Sequence, residues 1–434
     1  MEWYLAGAAI VALLVFLIAL GLPIPFALVV SCLPFLWQIQ SFESSVMTAE
    51  LMLWQAWDSY VLVAIPLFIF LGDLVAHSNI GSRLYDAIHR GVPIRGAAAH
   101  GSVGACATFG AVCGSSMIGA LTIGRVALPE MLRLGYSPRL SSGVLAAGGT
   151  LSVLIPPSLI LLFYGIITNV SIGRLFVAGV VPGILLTLLF SAIIAAWTLA
   201  RGRDVPAREE GGRWSPLTFL AGLAPPFVIG VIIFGSIYFG IATPTEAAGV
   251  AVTATLLMAF AIGGLTLRKL GSALWASMKT IGFLGILLGS ALLFAFVLNY
   301  YRIPQELAAL VRGAQLSPYM ILALVIGFLL LIGMFLEPVG IIFICLPTLY
   351  PVVHAAGFDM VWFGIIFTIT MEIAVLTPPV GLNLYVIQSM APDRVRITDV
   401  IVGTLPFIGA MIGLIVLLIF VPETATYLVQ SMRR

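Results

Sequence analysis

Two stretches of this chain break the same rule in the same way. Residues 153–166 read VLIPPSLILLFYGI and residues 375–387 read VLTPPVGLNLYVI, each inside an apolar run long enough to cross a bilayer. Proline has no amide hydrogen and collides with the carbonyl four residues back, so each pair predicts a helix broken at membrane depth. The freed carbonyls find no partner in hydrocarbon and must face protein or a polar cavity. Broken spans at matching positions of two halves mark the central site of a secondary transporter, where unwound backbone holds a coupling ion.

Composition sets the class. Of 434 residues, 61% are hydrophobic and 9% charged, against about 25% charged in a soluble domain, so a polytopic membrane protein is expected. The start, MEWYLAGAAIVALLVFLIALGL, lacks a basic lead and runs into a second apolar segment, which predicts a retained span rather than a cleaved signal. The net charge of +2 suggests no nucleic-acid partner. Cys32, Cys106, Cys113 and Cys345 stand singly and read as buried thiols, and His77, His89, His100 and His354 show no metal-binding spacing.

Ten crossings can be placed, at 3–21, 24–40, 59–77, 141–165, 175–200, 217–240, 246–264, 281–299, 361–388 and 400–421. Two further apolar regions, 97–128 and 318–350, are interrupted at CGSS (113–116) and LEPVG (336–340) and read as re-entrant hairpins. A single crossing of the first would put Arg83, Arg90 and Arg95 opposite Arg125, Arg133 and Arg139. A hairpin instead gathers them on the cytoplasmic face with Arg201, Arg203, Arg208, Arg213, Arg268, Lys269, Lys279, Arg394 and Arg396. Arg174, Arg302, Arg312, Arg433, Arg434 and both termini are then periplasmic.

An offset of 222 residues pairs Pro129 with Pro351, Gly135 with Gly357, Val153 with Val375, Leu154 with Leu376, and both Pro-Pro motifs. Five crossings separate the hairpins, so the halves are inverted. The expected organisation is scaffold spans over 1–58, a first repeat over 59–200 with its hairpin at 97–128 and broken helix at 141–165, and a linker with scaffold spans over 201–280. A second repeat follows over 281–421, with hairpin 318–350 and broken helix 361–388, and then a tail over 422–434. At GxxxG spacing, Gly110 and Gly114 read as helix-packing residues.

A sodium ion takes several oxygen ligands, and carbonyls at the ends of half-helices supply them inside a membrane. The first expected sodium site draws on Ser115, Ser116, Gly149, Thr150 and Pro156, the second on Gly333, Glu337, Thr370, Thr377 and Pro378. Between them, half-helix amides suit an anionic substrate near Ser116, Pro157, Pro379, Gly381 and Asn383. Glu337 is open between ion ligand, proton acceptor and helix cap, with capping or indirect support favoured. Glu372 is expected near the second site without an assigned role, and Asp73 as a packing contact. No cofactor is expected. HExxH, GxSxG and phosphate-loop motifs are missing, so an enzyme is not indicated.

The segment CGSSMIGALTIGRVALPEMLRLGYSPRLSSGVLAAGGTLSVLIPPSLILLFYGIITNV, with GMFLEPVG and MEIAVLTPPVGLNLYVIQSMAP further on, resembles the large membrane subunit of tripartite ATP-independent periplasmic (TRAP) transporters over nearly the whole chain. The resemblance implies an inverted-repeat, elevator-type carrier of a bacterial inner membrane, importing an organic acid with two or more sodium ions. It implies as partners a small membrane subunit of about four spans and a periplasmic substrate-binding protein. On that reading the first two spans and those at 175–200, 217–240 and 400–421 contribute scaffold or arm helices. Two positions depart from the family pattern. Cys113 stands where the family commonly has Ser, and Glu337 with Pro338 where it often has Asp-Thr, which keeps proton coupling open. The rival readings are a stand-alone ion-coupled carboxylate carrier and a non-transporting membrane scaffold.

Overall fold

The computed structural model describes residues 2–55, 57–58, 63–91, 94–206, 216–262 and 264–432, and among these all regular structure is helical. Arg208, Arg213, Arg433 and Arg434, part of the charge reading above, lie outside the described residues, as do 59–62 at the start of the expected third span and the side chain of Arg90. The chain opens with α1 (Trp3–Ala19), α2 (Ile24–Ile39) and α3 (Phe42–Gln55), then α4 (Ala64–His77) and α5 (Ile80–Gly91). A first hairpin, α6 (Ala97–Cys113) and α7 (Ser116–Arg133), precedes a broken helix, α8 (Pro138–Leu154) and α9 (Leu159–Thr168). The middle comprises α10 (Ile172–Ala200), α11 (Pro216–Tyr238), α12 (Pro244–Ala261), α13 (Leu267–Tyr300) and α14 (Ile303–Gly313). A second hairpin, α15 (Pro318–Gly333) and α16 (Pro338–Ala355), leads to a second broken helix, α17 (Met360–Ala374) and α18 (Leu382–Met390), and the chain closes with α19 (Ile397–Phe420) and α20 (Glu423–Gln430).

Helix boundaries repeat at the sequence offset. Adding 222 to the starts of α7 and α8, at 116 and 138, gives 338 and 360, where α16 and α17 begin. Local chemistry sets these starts. Ser137 and Ser317 precede Pro138 and Pro318, and their hydroxyls accept from Leu140 N and Met320 N at 3.3 Å each, while Asp359 accepts from Val361 N and Trp362 N at 2.8 and 2.9 Å. The Pro156–Pro157 and Pro378–Pro379 bonds are both cis.

Seven helical segments among the described residues are long and apolar enough to cross a membrane, or eight with the bent α4–α5 pair, against the ten crossings expected. The difference is one of length. At 17 and 16 residues, α1 and α2 fall just short of a full span, α17 ends at its break after 15, and the seven include the hairpin arm α16. Before each hairpin lies a short amphipathic helix that the span reading absorbed or passed over. In α5, Ile80, Leu84, Tyr85 and Ala87 are buried while Arg83 and Asp86 are exposed, and α4 meets it at 63°. Its counterpart α14 buries Ile303, Pro304 and Ala308 and exposes Gln305.

The repeats interlock. The returning arm α7 packs against α18 of the other half, and α16 packs against α9. Phe163 of α9 meets Phe343 of α16 edge-on at 5.1 Å between centroids, and the Tyr164 hydroxyl donates to Met360 O at 2.8 Å. Expected as scaffold or arm helices, α10 and α19 pack on the broken helices. Gly143 of α8 and Gly403 of α19 touch backbone to backbone, so a Cβ on either has no room, and Gly179 of α10 lies against Leu154 O. The helices α1, α2, α4, α12 and α13 form a second group, in which α13 contacts both α2 and α4.

Arg95 donates to Gly202 O at 2.6 Å, Arg139 pairs with Asp399 at 3.1 Å, and Lys269 reaches Gly264 O at 2.8 Å. Arg174 lines a cavity of about 930 Å³ shared by the 171–174, 240–246 and 429–432 segments.

Candidate functional site

Each hairpin tip touches its own broken helix through backbone. At the first tip Gly114 adopts φ +63°, its carbonyl accepts from Leu159 N at 3.3 Å, and a Cβ there would overlap Pro157 O. Only glycine takes both that conformation and that approach at no cost. At the second tip Met334 O accepts from Val380 N at 3.2 Å, and a Cβ on Gly333 would overlap that of Ala374. The two contacts are equivalents, since each joins a tip carbonyl to the amide just beyond a Pro-Pro pair.

Ser115 occupies the N-cap of α7 with its side chain unused in capping, and Ser116 begins the helix, 9% exposed. The Ser116 carbonyl lies against Gly149, where a Cβ would come within 2.9 Å of it, so the tip and the last turns of α8 share one small space. Thr150 is fully buried and its hydroxyl donates to Ala147 O at 2.6 Å, which leaves its oxygen free to accept. Of the two prolines, Pro157 turns its carbonyl to the tip, whereas the Pro156 ring lies toward Gly179 of α10.

At the second tip, Thr377 stands in the break and donates to Ile373 O at 2.7 Å, and Gly381 takes φ +48° with Thr377 O beside it. Pro378 and Pro379 fill the break, and the Pro379 carbonyl accepts from the Tyr385 hydroxyl at 3.3 Å. Thr370 lies a full turn inside α17, fully buried, and its hydroxyl donates to Ile366 O at 2.8 Å, which leaves its oxygen free to accept. Glu337 sits at the N-cap of α16 but makes no side-chain capping bond, so of the roles weighed for it the helix cap alone is corrected. Asn383, 1% exposed, donates to Ala146 O at 3.5 Å and so reaches from the second broken helix to the first.

One participant was not legible from spacing. Ser152 takes the close approach of Gly110 and Gly119, one from each arm of the first hairpin, and donates to Cys106 O at 3.4 Å. That contact bears out Gly110 as a packing glycine, while Gly114 serves the tip. Asp73 on α4 accepts from the Ser277 hydroxyl of α13 at 2.7 Å, a packing contact as expected, and Gly72 beside it lies 3.0 Å from Cys113 O by its would-be Cβ. Glu372 is buried in the last turn of α17. The polar group it faces is Ser116 of the first hairpin, yet neither carboxylate oxygen has a hydrogen-bonding partner among the described residues. All four cysteines are buried and unpaired, and no cluster of His, Cys, Asp or Glu able to hold a metal occurs among the described residues.

Paired hairpins meeting paired broken helices define a multi-pass secondary-transporter permease rather than an enzyme. The chain belongs to the family described as tripartite ATP-independent periplasmic transporter, DctM component, which residues 11–424 match. It is 33% identical to the C4-dicarboxylate TRAP transporter large permease of Rhodobacter capsulatus, over 96% of this chain and 97% of that one. It is likewise 36% identical to the corresponding protein of Pseudomonas aeruginosa, over 88% and 89%. The ectoine/5-hydroxyectoine large permease of Ruegeria pomeroyi is 33% identical over 85% of each chain. In fold, the chain is similar to the crystal structure of the Alcanivorax borkumensis YdaH transporter, with a TM-score of 0.60, 14% identity, and coverage of 84% and 86%.

Proposed function

We propose that this TRAP large permease imports an organic acid driven by sodium, receiving it from a periplasmic binding protein and working beside a small membrane subunit in a bacterial inner membrane. The observation that carries the reading is the matched pair of tip contacts, Gly114 O with Leu159 N and Met334 O with Val380 N. Each gathers a hairpin end, an interrupted helix end and nearby hydroxyl oxygens at one point, the donor set that holds a coupling ion in discontinuous-helix carriers. The first ion takes its oxygens from the tip of Ser115 and Ser116 with the Gly149 turn and the Pro157 carbonyl. The second takes them from Gly333, Met334 and Thr377. The organic acid lies between, where α7 and α18 begin and Asn383 crosses to α8. In this scheme 59–200 and 281–421 act as repeats of opposite orientation, both termini are periplasmic, and the hairpins and broken helices travel as one elevator body that includes α10 and α19.

The test is thermal stability of the purified chain in sodium against choline at matched ionic strength. A ligand that binds only the native state raises its melting temperature. A sodium-specific rise is expected. Equal melting in both salts over a wide range of concentration would remove sodium from the mechanism and turn attention to protons.

A further inference from the structure

Glu372 is 1% exposed, lies within the last turn of α17, and leaves both carboxylate oxygens without a hydrogen-bonding partner among the described residues. An ionised carboxylate in a membrane interior is costly unless a cation or several donors meet it. Its position makes this worse, because the C-terminal end of a helix carries partial negative charge. The last turn of α17 contains no basic residue. The two ion pairs found among the described residues, Arg133–Glu130 and Arg139–Asp399, lie elsewhere. The polar group that Glu372 faces, the Ser116 hydroxyl, belongs to the other repeat and begins α7 at the first tip.

Resting on the sodium reading above, we propose that the first sodium site is built by both repeats, with Glu372 supplying the negative charge that a sodium ion at Ser116 neutralises. Hydroxyls and carbonyls alone leave a whole positive charge buried beside the tip. A carboxylate from α17 cancels it, and the ion in turn satisfies oxygens that no protein group reaches. Filling the site from one repeat with a charge from the other also links the first tip to the second broken helix, so occupancy at one end is felt at the other.

Sodium titrations of melting temperature on the full chain, balanced with choline, test the assignment with Glu372→Gln and Glu372→Asp. Glutamine keeps the shape and a polar end toward Ser116 but removes the charge. E372Q is expected to melt near the wild type in choline and to need at least tenfold more sodium for its half-maximal rise. A wild-type sodium midpoint in E372Q would overturn the proposal and leave Glu372 without a part in the ion site. E372D withdraws the charge by one methylene and keeps the assignment testable if E372Q does not fold. A changed ratio of lithium to sodium midpoints is expected, and an unchanged ratio overturns it. A wild type that shows no sodium-specific rise refutes the sodium reading itself, whatever the variants do.

Discussion

Gly114 is the residue on which the first tip turns, and Gly114→Ala isolates that contact. Its φ of +63° is a conformation that costs an L-residue roughly 1–2 kcal/mol. The added Cβ would also overlap Pro157 O, backbone that cannot rotate away. Overpacking of this kind costs about 1–3 kcal/mol. Together the strain is about 2–5 kcal/mol, and at about 1.4 kcal/mol per decade its lower end is roughly thirtyfold in the docking of the tip on the break. Sodium binding that requires a docked tip weakens by the same factor. The assay is the sodium midpoint of the melting temperature, with Gly135→Ala as the control. Gly135 shares a positive φ, +90°, but has no atom within 4 Å of the Cβ position. G135A is expected to lower stability and leave the sodium midpoint in place. A G114A protein with an unshifted midpoint, or a G135A protein shifted equally, would refute the claim that the tip contact forms the ion site.

Ser115→Ala with Ser116→Ala removes two hydroxyls that make no capping bond, so stability in choline is expected to hold while the sodium response weakens. An unchanged sodium dependence of transport would exclude both hydroxyls from the site. Pro378→Ala with Pro379→Ala restores two amides and lets α17 run on toward α18. Expression should survive and uptake should be lost, and normal uptake would refute the need for a break. Asp73→Asn and Ser277→Ala act on the 2.7 Å bond between α4 and α13. Each single change is expected to cost about 1–3 kcal/mol, and a double-mutant cycle should return a coupling of about 0.5–3 kcal/mol. Strict additivity would mean that the bond contributes nothing.

Much of this architecture was legible because proline chemistry is local. Pro156–Pro157 and Pro378–Pro379 break helices whatever surrounds them, and the offset between them carried the hairpins with it. The tips at 113–116 and 336–340 could be placed from Gly, Ser and Pro interrupting apolar runs. What required three dimensions was contact between elements far apart in the chain. Nothing in spacing says that Pro157 rather than Pro156 faces Gly114, since successive carbonyls point apart once the helix is broken. Glu372 was expected near the second break by proximity in sequence, yet helix rotation aims it at the first. The packing of α19 on α8 was not legible because Gly143 and Gly403 meet across 260 residues of chain, and single glycines announce no partner. The helices α5 and α14 did carry a signal, apolar residues at 80, 84, 87 and 88 on one face, which a search for full spans does not register.

Uptake into proteoliposomes tests the central claim most directly, with the chain reconstituted beside its small membrane subunit, its binding protein loaded with a labelled carboxylate outside, and an inward sodium gradient imposed. The account predicts uptake that needs the binding protein and the gradient together and that stops when choline replaces sodium. Uptake of free substrate by this chain alone, or at equal rate without sodium, would contradict it.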